Sequence, residues 1–177
     1  MSLLESEKVR LRALEPRDID ILYRWENDTA VWGVSHTLLP FSRHVLQQFI
    51  AEQANDIYHT RQTRFVIETT DDDRPVGVID LFDFDPYHLR AGVGILVYEP
   101  EDRRKGYAEE AVNLLVRYGF EVLQLHQLYC HIPAANIGSQ QLFRKCGFVR
   151  CGQKKEWLKK ASGWEDEYVY QRVREGR

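Results

Sequence analysis

Residues 8–14 alternate apolar and polar, with Val9, Leu11 and Ala13 on one side, and a period of two predicts a strand. Pro16 then opens a helix with Ile19, Leu22 and Trp25 or Glu26 at helical spacing; proline is tolerated there because a first-turn N–H has no partner anyway. Residues 27–41 lack a clean period and hold Gly33 and Pro40, so a loop is expected. Ser42 can cap a second helix bearing Val45, Leu46, Phe49 and Ile50. Strands follow at 64–69, 76–84 and 89–98, the first two joined as a hairpin by the polar turn Asp71-Asp72-Asp73-Arg74-Pro75. Residues 106–123 form a long helix whose stripe is Ala108, Ala111, Val112, Leu115, Val116 and Phe120. A strand at 127–132, a helix at 136–146 stopped by Gly147, and strands at 148–158 and 164–173 around Ser162-Gly163 complete the pattern.

This order predicts one α/β domain over 1–177: a mixed, mostly antiparallel central sheet of six to seven strands with helices on both faces. Hydrophobic residues at 44% and charged residues at 29% fit a globular chain. The net charge of -3 argues against nucleic acid as a partner and is compatible with a cationic substrate. The first residues are charged too early for a secretory signal, and no apolar run approaches a membrane span of about 20 residues, so a cytoplasmic protein is expected. Cys130, Cys146 and Cys151 read as reduced packing thiols, and the six histidines show no metal spacing, so no metal is expected.

The chemistry begins where the strand Gly92-Val93-Gly94-Ile95-Leu96-Val97 runs through Arg103-Arg104-Lys105-Gly106-Tyr107-Ala108 into the long helix. Free N–H groups and the positive dipole end of that helix make an anion site, to which the basic side chains add charge and Gly106 close backbone access. Neither GxxxxGK[ST] nor GxGxxG is present. The spacing Arg-x-x-Gly-x-Ala resembles the pyrophosphate motif of the GNAT superfamily of N-acetyltransferases. The segment from Asn136 to Phe148, in the form Asn-x-x-Ser-x-x-Leu-x-x-Lys-x-Gly-Phe, resembles that superfamily's second motif, and the opening Val9-Arg10-Leu11-Arg12 resembles its start. Within the superfamily the chain is similar to spermidine/spermine-type diamine acetyltransferases and to enzymes acetylating ribosomal protein N-termini.

The resemblance implies acetyl-CoA as co-substrate. Ile95, Leu96 and Val97 would pair their backbone with the pantetheine arm and supply an N–H for the oxyanion. Arg103, Arg104, Lys105, Gly106, Tyr107, Ala108 and Glu109 would hold the pyrophosphate. Asn136 would bond the pantetheine region, and Ser139, Phe143 and Lys145 would line the coenzyme tail. A tyrosine protonates the leaving thiolate in the diamine enzymes; Phe143 stands at that position and has no proton to give. Either another group protonates the sulfur, with Tyr98, Tyr107, Cys130 and Ser139 nearby in sequence, or solvent does so, or catalysis is weak.

On the acceptor side Asp80 and Asp83 are the candidate catalytic carboxylates, matching acidic positions of the diamine enzymes; in a regular strand Asp83 and Asp85 share a face and Asp80 the other. Those enzymes carry an acidic residue where Gly92 stands, and an acidic segment where residues 34–40 are neutral. Trp25, Trp32, Tyr87, Trp157 and Trp164 could border an amphipathic acceptor channel, with Glu165, Asp166 and Glu167 adding negative potential. The expected activity is acetyl transfer to a primary amine of a small polyamine-like or amino compound, by direct attack in a ternary complex. A protein N-terminus is the alternative acceptor, and a non-catalytic acyl-CoA-binding sensor is the alternative of another class. The sequence does not reveal the oligomeric state; the resembled superfamily commonly forms dimers, so a homodimer is compatible with the resemblance.

Overall fold

The structure, a computed structural model, describes residues 2–176 and only the backbone of Val34. Met1 and Arg177 of the expected 1–177 domain lie outside the described residues. Seven strands form one sheet in the order β1 (Val9–Ala13), β2 (Thr63–Thr69), β3 (Pro75–Asp85), β4 (Arg90–Val97), β5 (Gln127–Pro133), β7 (Gly163–Val173), β6 (Val149–Lys160). Every neighbouring pair is antiparallel except β4 and β5, which are parallel. A parallel pair needs a crossover, and α5 (Tyr107–Glu121) supplies it.

The central strands β2, β3 and β4 are largely buried on both faces, which is why they read as nearly continuous apolar runs. On one face α5 buries Ala111, Val112, Leu115 and Val116 against Leu11, Ile67, Ile79, Leu81 and Leu128, and α6 (Ile137–Lys145) adds Phe143. On the other, α1 (Ile19–Glu26) and α3 (Arg43–Glu52) set Leu22, Trp25, Leu46 and Ile50 against Val66 and Val78. Burying each large aliphatic side chain stabilises the fold by about 1.5–3 kcal/mol. Truncating Leu115, which is 0% exposed, to alanine costs about 2–5 kcal/mol.

Residues 27–41 depart from the expected loop. They contain α2 (Thr29–Ser35), capped by the Asp28 carboxylate accepting from the Ala30 N–H at 2.9 Å and ended by His36 at φ 56. The Trp32 indole N–H donates to the Glu26 carbonyl at 2.9 Å. This helix has no fully buried position among its described residues, so it needs no apolar period, and caps rather than a stripe hold it. A four-residue helix, α4 (Ile57–Thr60), is also absent from the hydrophobic pattern; Asp56 caps it and it buries nothing completely. No described helix is long and apolar enough to cross a membrane.

Candidate functional site

The pairing of β4 with β5 ends at Gly92 and Tyr129. Beyond it the two strands separate and leave a cleft of about 620 Å³, lined by Gly94, Ile95 and Leu96 from β4 and by Cys130, His131 and Ile132 from β5. The β4 edge facing β5 has no strand partner in the register past Gly92, so an extended amide chain could pair with it. Ile95 and Leu96 line the cleft, and the carbonyl of Val97 accepts from the Arg103 guanidinium at 3.3 Å. Gly92 is required by packing: a Cβ there would come within 2.4 Å of the Phe82 ring. Phe82 thus fills the space an acidic side chain at 92 would need.

At the end of β4 the chain passes a short helical turn, Pro100–Asp102, and enters α5 through Arg104 at φ 64 and Gly106 at φ 90. The N–H groups of Tyr107, Ala108 and Glu109 open α5 and have no intrahelical acceptors. The basic side chains are differently used. Arg103 donates to the Val97 and Tyr98 carbonyls. The Lys105 ammonium lies 3.0 Å from Asp102, which Arg74 also grips at 2.7 and 2.9 Å. Arg104 is exposed. A cation the spacing did not reveal is Lys8, whose ammonium donates to the Lys105 carbonyl at 3.0 Å. Glu109 instead faces Lys145, 3.7 Å away. Nothing near Lys8 in sequence signals that contact.

The start of α6 borders the cleft through Asn136, Ser139 and Phe143. The Asn136 side-chain oxygen caps the helix by accepting from the Ser139 N–H at 3.1 Å, leaving its NH₂ as the group able to donate into the cleft. Phe143 is 3% exposed and stacks edge-on against Phe148. Of the four alternative proton donors, Cys130 and Ser139 line the cleft. The Tyr98 hydroxyl donates to Asp28 at 2.6 Å, which pushes its pKa up, and the Tyr107 ring lies against Lys105. Burial, with Cys151 nearby, pushes the Cys130 thiol far up, and burial holds Cys146 at about 11, so both stay protonated at neutral pH.

On the acceptor side Asp80 lines the cleft together with Glu26 and Arg64. Arg64 donates to both Asp80 oxygens, at 2.6 and 2.9 Å, and forms a close ion pair with Glu26. Burial would lower the Arg64 pKa, but the two carboxylates outweigh it and raise it. The three groups sum to one negative charge. Asp83 lies elsewhere: it is exposed, at φ 48, where the register with β4 breaks between Phe82 and Asp85. The regular-strand expectation for residues 80–85 therefore fails at this bulge. Of the aromatic residues, Trp157 lines the cleft, Trp25 is in the core, and Tyr87 and Trp164 are exposed at 86% and 62%. Glu165 pairs with Lys160, Asp166 accepts from Gln153 and the Glu156 N–H, and Glu167 lines the cleft.

His131, Glu167 and Lys154 form a second polar group in the cleft. The His131 Nδ1 lies 3.7 Å and the Lys154 ammonium 2.7 Å from the same Glu167 oxygen. Burial, then Lys154, lowers the His131 pKa; Glu167 and Asp83 only partly oppose this. Arg64, Glu26, His131 and Lys154 escaped the motif reading because their roles depend on partners across the sheet. Among the described residues no group of three His, Cys, Asp or Glu side chains is placed to hold a metal.

Comparison with known proteins agrees with this fold. Residues 8–149 match the model of the acetyltransferase (GNAT) domain. A spermidine N(1)-acetyltransferase of Vibrio cholerae is 26% identical over 147 residues, covering 83% of this chain and 82% of that protein. A spermidine N(1)-acetyltransferase of Escherichia coli K12 is 30% identical over 146 residues, covering 81% and 74%. The crystal structure of the Vibrio cholerae spermidine N-acetyltransferase, in complex with CoA and spermine, superposes with a TM-score of 0.84 over 95% of this chain and 96% of that one at 24% identity. With the family model spanning most of its length and the fold in agreement, the chain belongs to the GNAT family of acetyltransferases.

Proposed function

We propose that this chain, as one domain, transfers an acetyl group from acetyl-CoA to the primary amine of a small polyamine-like or amino compound, by direct attack in a ternary complex. The observation that carries the reading is a single cleft where an unpaired β4 edge meets a carboxylate-bearing acceptor floor, beside the open N-terminus of α5. In this reading the β4 edge holds the pantetheine arm and its N–H groups face the oxyanion. The α5 N–H groups, with Lys8 and Arg104 beside them, hold the pyrophosphate. The Asn136 amide donates to a pantetheine carbonyl. Direct attack is favoured over an acyl-enzyme because the Cys130 thiol, the sulfur in the cleft, is held protonated.

Glu26 and Asp80 leave one net negative charge after Arg64, enough to draw one ammonium to the floor. The relatives named for spermidine support a small amine as acceptor. The buried Phe143, at the position where the diamine enzymes carry their acid, favours a second reading, a non-catalytic acyl-CoA sensor.

Thiol release from acetyl-CoA, measured with polyamines, amino-sugars and short peptides, separates the readings. The expected result is turnover with small amines. Preferential turnover of peptides replaces the acceptor with a protein N-terminus, and tight binding without turnover selects the sensor.

A further inference from the structure

The β5–β7–β6 half of the cleft holds a polar cluster to which the coenzyme reading above assigns no role. His131 follows Tyr129 on one face of β5, and the two rings meet edge-on at 5.5 Å. Tyr129 in turn meets Phe82 edge-on at 6.3 Å, so an aromatic row fixes the imidazole. Glu167 is 4% exposed and anchored by Lys154 at 2.7 Å. Its carboxylate lies 3.7 Å from His131 Nδ1, which favours a proton on Nδ1 and leaves Nε2 as the base. The His131 side chain is 33% exposed, so a proton taken up there can pass to solvent. Gly94 and Ile95, whose strand edge would carry the thioester, line the same cleft.

We propose that His131 is the general base that removes the proton from the acceptor ammonium, with Glu167 and Lys154 as positioning residues. This rests on the acetyl-transfer reading above. Nε2 takes one proton from R–NH₃⁺, and the freed lone pair forms a C–N bond to the thioester carbonyl. The tetrahedral intermediate carries a positive nitrogen and an oxyanion. As the C–S bond breaks, a proton lost by nitrogen goes to the departing sulfur, giving the amide and CoA thiol. The imidazolium then releases its proton to water. Because nitrogen itself supplies the sulfur's proton, the step needs no hydroxyl at Phe143.

The charges facing His131 set its pH range. Glu167 from β7 and Asp83 from β3 favour the imidazolium; Lys154 from β6 and partial burial oppose it and prevail. His131 is therefore neutral at pH 7, and activity should fall as pH drops below the ordinary histidine value of about 6.5.

The test combines kinetics with imidazole NMR on the full chain. His131→Gln should lower kcat/KM by about 100-fold or more and abolish the acidic limb, while CoA still raises the melting temperature as in wild type. Lys154→Met removes a cation that disfavours imidazolium, so the acidic limb and the His131 NMR titration should both move to higher pH. The proposal is overturned if His131→Gln keeps wild-type kcat/KM and its acidic limb, or if Lys154→Met moves the His131 titration but not the kinetic limb. Failure of the wild type to release thiol with any amine overturns the acetyl-transfer reading and this one with it; turnover with an unaffected His131→Gln overturns this one alone.

Discussion

Phe143 stands where the family resemblance implied an acid, and the structure shows what surrounds it. Its ring borders the cleft, is 3% exposed, and stands edge-on to Phe148 with centroids 5.0 Å apart. Phe143→Tyr adds one oxygen to a ring at the cleft wall. We expect the variant to fold, with stability changed by no more than about 1–2 kcal/mol. If its hydroxyl reaches the thioester sulfur, the rate should acquire a falling limb near the tyrosine pKa of about 10, visible in the pH dependence of kcat. An unchanged profile would show that the sulfur gets its proton without help from this position. The residues on the acceptor side carry a related lesson. Asp80 was legible as a candidate acceptor-side carboxylate, but Arg64, which occupies both its oxygens, was not. A strand residue's partner is set by register, and register depends on bulges that leave no fixed mark in spacing.

Among the elements, the turn into α5 is the one most dependent on distant support. Asp102 is 1% exposed and receives Arg74 from the β2–β3 turn and Lys105 from the turn itself. The hydrogen bond from Arg74, with help from Lys105, holds its carboxyl at about 2. A carboxyl depressed in the folded state stabilises fully above its unfolded pKa of about 3.9 and loses that contribution as pH falls through the folded value. Asp102→Asn should therefore flatten the stability profile between about pH 4 and 2 and cost about 1–3 kcal/mol at neutral pH. It should also loosen the turn and weaken CoA binding by roughly tenfold, or about 1.4 kcal/mol, measured by calorimetry. A wild-type CoA affinity in this variant would show that the turn holds its shape without the clamp. The turn's existence was legible from its glycine and the helical stripe that follows. Its anchoring was not, because the clamp joins the β2–β3 turn to the turn before α5.

For the molecule as a whole, the sheet is continuous at its edges and open in the middle, where β4 and β5 part after three paired positions. A ligand that fills the split joins the two halves and binds only the folded state. CoA at a hundred times its Kd should add about 2.7 kcal/mol, which for a chain of this size raises the melting temperature by roughly 5–10 °C. A scanning fluorimetry titration reads this directly, and an unmoved transition at millimolar CoA would contradict the proposed coenzyme site.

Periodicity made most strands and the long helices legible, because a stripe at 3.6 or an alternation at 2 records which face each element buries. Glycine at 106 and asparagine at 136 marked helix starts because capping is a matter of a few neighbouring bonds. The short helices α2 and α4 escaped because they have no fully buried described residue and so carry no stripe. The sheet order and the meetings of Arg64 with Asp80, Lys8 with the α5 turn and His131 with Glu167 belong to tertiary structure alone. Each is a contact between segments far apart in the chain, selected by strand register and packing. Local propensity is blind to both, so the turn proposed to hold an anion could be read from residues 103–108, while the groups that would handle the acceptor's proton emerged only when the sheet was assembled.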